Sequence, residues 1–460
     1  MNTSEKRVAV ALSGVFATRM LGLFMVLPVF AVYAENLDGF TPTLAGLAIG
    51  IYGLTQALFQ IPLGRLSDRI GRKPIIIAGL LVFAAGSVVA AMADDIVGVI
   101  IGRALQGSGA IASAVMALAA DLTREEQRLK VMASIGMSIG LAFAIAIIIG
   151  PVLHSWFGIS GIFWTTAGLA ALALAIIVLV VPTPITTRFH RDTEVEFNWL
   201  GRVVRHPQLL RLDLGVFVLH FVMTATMFVL PLIWVKTHHF EVANHWWVYL
   251  PVMGLSLILV IPFIVIGEKK RQLKQIVIMS VLALASACLL IWWQHTHWWM
   301  LIIGLWLFFV GFNLLEASLP SLIAKFAPAA HKGTAMGVFS SAQFLGAFFG
   351  ATCAGWVSQN LGASHVFMLN AVLIGLWFGM VLSMRQPPYL SSELLNVGPV
   401  NKQQAQELVV HLTAIRGVAE AVVIPEDGVA YLKVDQKALD RDALLDYSNG
   451  GDYPIDQTNE

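Results

Sequence analysis

Charged side chains are scarce in this sequence. Only 12% of its 460 residues are charged, against about 25% in an average soluble domain, and 57% are hydrophobic. This shortage excludes an ordinary soluble enzyme, a disordered chain and a nucleic-acid-binding protein. Cysteine is scarce too. Because Cys288 and Cys353 both lie in apolar runs, neither a disulfide framework nor a thiolate metal cluster is expected.

Some catalytic signatures are also missing. The chain contains no His-Glu-x-x-His zinc motif and no phosphate-binding loop. We therefore expect no enzymatic activity, no cofactor and no metal ion.

What the sequence has instead is a series of long uncharged runs. A helix needs about 20 residues to cross a hydrocarbon core about 30 Å thick. The uncharged runs 131–187, 275–315 and 333–384 are too long for one crossing, so each should hold most of a hairpin. The strict alternation of a membrane barrel is absent, so the crossings should be helices. The twelve predicted spans are 8–34, 44–63, 74–93, 96–120, 131–153, 160–182, 212–236, 246–267, 275–293, 298–324, 334–358 and 364–385.

Lysine and arginine predict the orientation of these spans. With the N-terminus in the cytoplasm, the predicted cytoplasmic loops carry eighteen lysines and arginines, whereas the opposite loops carry one, Lys236. The positive-inside rule therefore places both termini in the cytoplasm, and we expect a multi-pass protein of the bacterial inner membrane.

The polar segment Thr183–Leu210 divides the apolar part into two sets of six spans. The sets show a faint repeat, since Leu27-Pro28 and Leu230-Pro231 lie 203 residues apart, as do Gly64 and Gly267. The fold class is therefore an all-α polytopic membrane protein of two six-helix bundles, followed by a small α+β domain. The predicted domains are a bundle at 1–182, a linker at 183–211, a bundle at 212–386, a cytoplasmic domain at 387–449 and a disordered tail at 450–460.

The C-terminal segment has the opposite charge balance from the rest of the chain. Residues 387–460 carry a net charge of −7, whereas residues 1–386 carry +8. The pattern predicts the ferredoxin-like order β-α-β-β-α without the Cys-x-x-Cys pair of metal-transfer domains. We expect a regulatory or interaction domain that docks on the basic loops or pairs with a second copy. Its predicted elements are a strand at 394–397, a helix at 403–416, strands at 419–424 and 429–434, and a helix at 437–447.

The most specific motif lies between spans 2 and 3, where the glycines should allow a tight turn. It reads Gly64-Arg65-Leu66-Ser67-Asp68-Arg69-Ile70-Gly71-Arg72-Lys73, and its candidate gating residues are Gly64, Asp68, Arg69, Gly71, Arg72 and Lys73. All ten positions resemble the G-x-L-x-D-R-x-G-R-K hallmark of the major facilitator superfamily. The resemblance implies two six-helix bundles around a cavity that opens alternately to each side. It also implies that Asp68 meets the positive N-terminus of span 11, near Thr334, and stabilises the outward-open state. The alternative is that the basic residues only enforce topology.

Two further motifs resemble patterns of the same superfamily. Span 4 carries Arg103-Ala104-Leu105-Gln106-Gly107-Ser108-Gly109-Ala110, which is similar to R-x-x-Q-G-x-G-A. An arginine at mid-membrane costs about 2.5–3.5 kcal/mol, so Arg103 should line a wet cavity or bind carbonyl groups of span 1. Span 5 carries Gly150-Pro151, the core of the antiporter motif, although such a pair is also a plain packing device. The candidate residues in span 4 are Arg103, Gln106, Gly107 and Gly109.

Four ionisable groups lie inside predicted spans that line the cavity in this superfamily: Arg19, Arg103, His220 and Glu316. Glu316 is the first candidate proton carrier and His220 the second. The alternatives are that Glu316 pairs with Lys325 or a loop amide, and that His220 is a hydrogen-bonded structural residue. Because no acid in the first six spans neutralises Arg19 and Arg103, the ligand should be acceptor-rich or anionic.

The leading functional hypothesis is a secondary active transporter that exports a small molecule by proton-coupled alternating access, as drug/proton antiporters do. One alternative is an importer or facilitator of a small organic anion or nutrient. An alternative of another class is a membrane sensor, although a sensor would not need the gating motif. The expected partners are a small-molecule substrate, protons and the lipid bilayer, without nucleic acid. Self-association through the C-terminal domain is a further hypothesis.

Overall fold

The computed structural model describes residues 2–183, 195, 197–328, 331–398, 400–425 and 428–448. The predicted disordered tail at 450–460 and residues 184–194 and 196 of the predicted linker lie outside the described residues.

The first half of the membrane part is almost entirely helical. Its first helix begins with a capping box, in which Glu5 N donates to Asn2 Oδ1 and Asn2 N donates to Glu5 Oε2, both at 2.8 Å. A short 3-10 turn, Ala34–Asn36, follows the second helix. The helices are α1 (Thr3–Phe24), α2 (Phe30–Tyr33), α3 (Pro42–Ile70), α4 (Arg72–Ala91), α5 (Ile96–Ser108), α6 (Ala112–Asp121) and α7 (Glu125–Leu179).

The second half begins with a short helix that leads into the membrane part, and a 3-10 turn, Val242–Asn244, joins two of its long helices. The helices are α8 (Phe197–Arg205), α9 (Pro207–His238), α10 (Trp246–Lys269), α11 (Leu273–Gln294), α12 (Trp298–Phe326), α13 (Lys332–Asn360) and α14 (His365–Leu382).

The helices accommodate the twelve predicted spans. Within the described residues, eleven helices are long and apolar enough to cross a membrane. One of them, Lys130–Leu179, has 50 residues, which is enough for two crossings. Gly158 interrupts this helix with a φ of 68°, a conformation that favours glycine. The turn implied between the predicted spans 131–153 and 160–182 is therefore confined to a kink.

Two predicted spans are interrupted. Span 1, predicted at 8–34, ends as a helix at Phe24 and resumes at Phe30, because Pro28 has no N–H with which to continue the helical hydrogen bonds. Its counterpart in the repeat, Pro231, stays inside α9. Span 4, predicted at 96–120, is split into α5 and α6, and Gly109 at the break packs directly against the backbone of α4.

Buried side chains form two large apolar clusters in the membrane part. The larger cluster joins both halves and includes Phe30, Phe163, Phe228 and Phe308. The second consists of buried side chains from the first half alone, with Phe344 of α13 packed against it. The two halves therefore share a continuous core over only part of their length.

The C-terminal domain has the predicted order β-α-β-β-α. Its strands form an antiparallel sheet in the order β1-β3-β2, in which Tyr431 pairs with Leu394 on one side and Val422 on the other. The second helix is shorter than the predicted 437–447, because Asp440 caps it by accepting from Ala443 N at 3.2 Å. The elements are β1 (Ser391–Asn396), α15 (Lys402–Ala414), β2 (Val418–Ile424), β3 (Val429–Val434) and α16 (Arg441–Leu445).

This domain docks on the membrane part, as one of the two hypotheses expected. Arg271 Nη2, in the turn between α10 and α11, lies 2.8 and 3.0 Å from the carboxylate oxygens of Asp435. Lys433 of β3 is only 5% exposed and donates to the carbonyls of Lys325, at 2.8 Å, and Ala327 at the end of α12. The contact thus combines an ion pair with a lysine at a helix C-terminus, where a cation is favoured.

Each contact contains a residue whose pKa is shifted. Hydrogen bonding to Arg271 lowers the pKa of Asp435, and burial lowers the pKa of Lys433. A carboxylate with a lowered pKa supports docking above its ordinary value of about 4 and loses that support as the pH falls through the lowered value. Docking through Asp435 should therefore stay constant between about pH 5.5 and 8.

Candidate functional site

The central cluster joins α9, α12 and α13. His220 Nε2 lies 3.6 Å from a carboxylate oxygen of Glu316 and 2.8 Å from Gln343 Nε2, while His220 Nδ1 lies 3.2 Å from the carbonyl of Val216. The side chain of Glu316 is 42% exposed although it lies well inside α12. Its carboxylate is therefore accessible, whereas the His220 side chain beside it is only 14% exposed. The sequence singled out His220 and Glu316 but missed Gln343, an uncharged residue in an apolar run.

Proton binding would rearrange this cluster. A neutral imidazole has one N–H, so a ring that donates Nδ1–H to Val216 accepts the Gln343 amide at Nε2. An imidazolium donates from both nitrogens, so its Nε2–H would turn to the Glu316 carboxylate. Lys325, the predicted alternative partner of Glu316, pairs with Glu268 at 3.2 Å instead. That alternative is wrong because Lys325 lies nine residues further on, about 13 Å along α12.

Asp213 is a further buried acid in the membrane part and was not among the predicted site residues. It lies seven residues before His220, which places both on one face of α9, two turns apart. Asp213 is 6% exposed, and its Oδ1 has no hydrogen-bond partner in the part of the chain that the structure describes. In the sequence it marks the charged boundary of an apolar run, and this position hides its burial.

Arg19 is a buried cation with spare donors. It is fully buried in α1, and its Nη2 donates to Gln56 Oε1 at 2.7 Å and to the carbonyl of Gly109 at 3.2 Å. Its Nε and Nη1 are buried without a hydrogen-bond partner among the described residues. An acceptor-rich or anionic group would satisfy these two donors.

Arg103 is bound more completely. Its Nη1 donates to Gln106 Oε1 at 2.9 Å, and its Nε and Nη2 lie 3.3 and 3.4 Å from the carbonyls of Ala48 and Ile49. Gln106 in turn donates to Ser87 Oγ of α4 at 2.9 Å. The alternative that Arg103 binds carbonyls of span 1 is wrong, because these carbonyls belong to α3, the second span. Arg103 therefore ties α5 to α3, and a role in the cavity stays a prediction.

The glycines of the span 4 and span 5 motifs are points of close helix contact. A side chain on Gly107 would overlap α3, and one on Gly109 would overlap α4. A Cβ on Gly150 would lie 2.5 Å from the carbonyl of Met25, just after α1 ends. Pro151 stays within α7. These motif positions thus set how closely the helices of the first half approach one another.

The gating motif is mostly helical. The sequence predicts a loop from Gly64 onward, but α3 continues to Ile70, and the turn is made at Gly71 with a φ of 108°. Gly64 packs inside the bundle, since a Cβ there would lie 2.7 Å from Ser113 Oγ. Arg69 is exposed at the end of α3. The motif therefore places its charged residues around a single sharp turn.

Arg72 holds this turn together. It is buried, pairs with Asp68, places its Nε 3.4 Å from Asp121 Oδ2 and donates to Ser67 Oγ at 2.9 Å. Lys73 Nζ donates to a backbone carbonyl just beyond the end of α7 at 2.8 Å. The predicted contact of Asp68 with the start of span 11 stays a prediction.

The two halves press together at one end. We call the end with Arg69, Arg271 and the C-terminal domain the basic end, and the other the opposite end. Towards the opposite end, α3 and α13 cross through glycines, and Cβ atoms on Gly50 and Gly53 would lie 2.6 and 2.5 Å from carbonyls of α13. Lys236 pairs with Glu35 across the halves at 2.5 Å.

A hydrogen bond continues this contact at the ends of the two helices. Thr43 Oγ1 of α3 donates to Gln359 Oε1 of α13 at 2.7 Å. This contact and the glycine crossing describe a conformation that is closed at the opposite end.

Two six-helix halves that are in contact at one end, with an ionisable cluster among the helices of the second half, are typical of a polytopic membrane transporter. The chain belongs to the Major Facilitator Superfamily, whose family model matches residues 12–296 and 270–419. The protein is therefore a transporter and not an enzyme.

Individual relatives agree with this assignment. The chain is 45% identical to the inner membrane transport protein YajR of Escherichia coli, over 96% of this chain and 97% of that protein. It is 27% identical to the multidrug resistance protein MdtH of Yersinia enterocolitica, over 74% and 83% of the two chains. The fold is similar to that of the human organic anion transporter MFSD10, with a TM-score of 0.63 and 21% identity over 83% of this chain and all of that one.

Proposed function

We propose that this protein is a proton-coupled antiporter that exports a small molecule across the bacterial inner membrane. The observation that carries the proposal is the cluster of His220, Glu316 and Gln343, because its hydrogen bonds must change when it binds a proton. Similarity to a protein named for multidrug resistance supports the outward direction.

The cluster also lies next to the contact between the halves. Gln343 binds His220, and its neighbour Phe344 presents the carbonyl that Gly53 of α3 approaches. A change in protonation that releases Gln343 would therefore act on α13 beside its crossing with the other half. Such a link between proton binding and the packing of the halves is what a coupled transporter requires.

Asp213 supports a proton route towards the basic end. It shares a face of α9 with His220 and lies about 10 Å closer to that end. Its Oδ1 is buried and has no hydrogen-bond partner among the described residues, so a proton bound there would displace no other donor. We infer that Asp213 accepts protons passing between the cluster and the cytoplasm.

The substrate we propose is acceptor-rich or anionic. Arg19 Nε and Nη1, which lack a hydrogen-bond partner among the described residues, support this choice. The same donors favour a second candidate function, import of a small organic anion, in which the proton and the substrate move in the same direction.

Transport by purified protein in proteoliposomes tests the proposal. A panel of labelled organic anions and cations is offered with and without an imposed pH gradient, to the wild type and to Glu316→Gln. We expect the gradient to accelerate exchange of an anionic or neutral compound in the wild type and to have no effect in Glu316→Gln. Glu407→Gln, an exposed acid on α15, is the matched control and should behave as the wild type does.

The outcomes separate the alternatives. Accumulation against the proton flux indicates an antiporter, and accumulation with it indicates an importer. Full gradient-driven transport by Glu316→Gln would show that this acid is structural, and competition by cations alone would contradict the proposed substrate class.

A further inference from the structure

A cavity lies where the C-terminal domain meets the membrane part at the basic end. Its volume is about 330 Å³, within the range of about 300–1,000 Å³ typical of small-molecule sites. It is bordered by the N-terminus of α9, the C-terminus of α12, the segment after α14 and strands β2 and β3. The lining side chains that bear charge or hydrogen-bonding groups are His206, Gln208, Lys325, Arg385, Gln386, Glu420 and Lys433.

Most of the charged groups around this cavity already have partners. Lys325 pairs with Glu268, and Lys433 donates to backbone carbonyls of the α12 terminus. Arg385 differs, because its guanidinium is exposed and makes no hydrogen bond or ion pair to any residue that the structure describes. Its backbone N–H is fixed by Gln208 Oε1 at 3.2 Å, which holds the residue at the cavity wall.

His206 provides a second available donor. Its Nδ1 accepts the backbone N–H of Leu209 at 3.4 Å at the start of α9. The neutral ring therefore carries its proton on Nε2, which remains available to a ligand. The first turn of α9, a helix of 32 residues, adds the positive end of a helix dipole at the same place.

We propose that this cavity binds a phosphate group at the place where the C-terminal domain meets the second half of the transporter. A planar guanidinium binds two phosphate oxygens at once, and the imidazole N–H and the helix N-terminus are suited to a third. The phosphate belongs either to a soluble phosphorylated molecule or to an anionic lipid headgroup, since the cavity lies at the ends of the apolar helices α9 and α12. The proposal does not depend on the transported substrate or on proton coupling.

Hydrogen–deuterium exchange of the full-length protein in nanodiscs tests this site. One arm uses zwitterionic phosphatidylcholine nanodiscs with sodium phosphate or with sodium chloride at equal ionic strength. The other arm uses nanodiscs containing phosphatidylglycerol, without phosphate in solution. If the site exists, backbone amides in 429–434 and at the start of α11 should exchange more slowly with phosphate than with chloride, or more slowly in phosphatidylglycerol than in phosphatidylcholine. The arm in which exchange slows identifies the source of the phosphate.

Two matched variants make the test specific. Arg385→Gln should raise the phosphate or lipid concentration needed for protection by about tenfold or more, because a charge-assisted contact is lost. Arg416→Gln removes an exposed arginine of the C-terminal domain that does not line the cavity and should match the wild type. The proposal is overturned if neither arm protects these segments, or if both variants weaken protection equally, which would indicate general screening of charge.

Discussion

At the scale of single residues, Arg72 organises the gating motif because two carboxylates compensate its buried charge. The Asp121 side chain is 1% exposed, whereas that of Asp68 is 29% exposed. Breaking a buried ion pair costs about 3–5 kcal/mol, and breaking an exposed one about 0–1 kcal/mol. We therefore expect Asp121→Asn to lower the thermal unfolding temperature in detergent clearly more than Asp68→Asn does. Equal or larger destabilisation by Asp68→Asn would contradict this ranking.

The sequence predicts which residues matter better than it predicts their partners. Motif spacing and isolated charges in apolar runs single out Arg19, Arg103, His220 and Glu316, and all four have polar contacts in the structure. The partners of Arg103 and Glu316 differ from the expected ones, because a partner depends on how whole helices are rotated and placed. Asp213 is missed because only the tertiary structure shows that it is buried.

At the scale of helices, the α3–α13 crossing holds the opposite end closed. A Cβ on Gly50 would lie 2.6 Å from the carbonyl of Phe348, and a backbone atom cannot move away cheaply. Overpacking of this kind costs about 1–3 kcal/mol. Gly50→Ala should therefore shift the population towards the conformation that is open at the opposite end. In a Cys353→Ser background, this is measured as a longer distance between spin labels at Asn36→Cys and Asn360→Cys.

The control for this substitution is another helical glycine. A Cβ on Gly168 of α7 would have no neighbouring atom within 4 Å, so Gly168→Ala should leave the distance distribution unchanged. If Gly50→Ala also leaves it unchanged, the crossing does not determine closure.

Helix breaks show where sequence reasoning stops. Pro28 and Pro231 occupy matching positions of the repeat, yet only Pro28 interrupts a helix. A proline inside a helix is tolerated when its neighbours satisfy the released carbonyl, and this depends on packing that a sequence pattern does not contain. Run lengths predict the spans well, because the bilayer thickness fixes how many apolar residues a crossing needs.

At the scale of the whole molecule, the charge asymmetry extends to the docking of the C-terminal domain. The domain has a net charge opposite to that of the membrane part, and Arg271 and Asp435 realise this attraction in one ion pair. Lys433 shows that docking also uses a cation of the acidic domain, which net charge does not predict. The domain and the basic loops therefore lie on the same side of the membrane.

This placement predicts the topology in cells. With Cys353 replaced by serine, single cysteines are introduced as Lys270→Cys after α10, Glu407→Cys on α15 and Asn360→Cys at the opposite end, all at exposed positions. The positive-inside rule predicts that a membrane-impermeant thiol reagent labels Asn360→Cys in intact cells, and the other two only after the membrane is permeabilised. The Cys353→Ser parent measures background labelling of the buried Cys288. Labelling of Lys270→Cys but not Asn360→Cys in intact cells would show that the basic end faces the outside. Glu407→Cys should then be labelled together with Lys270→Cys, because the C-terminal domain is docked beside the end of α10.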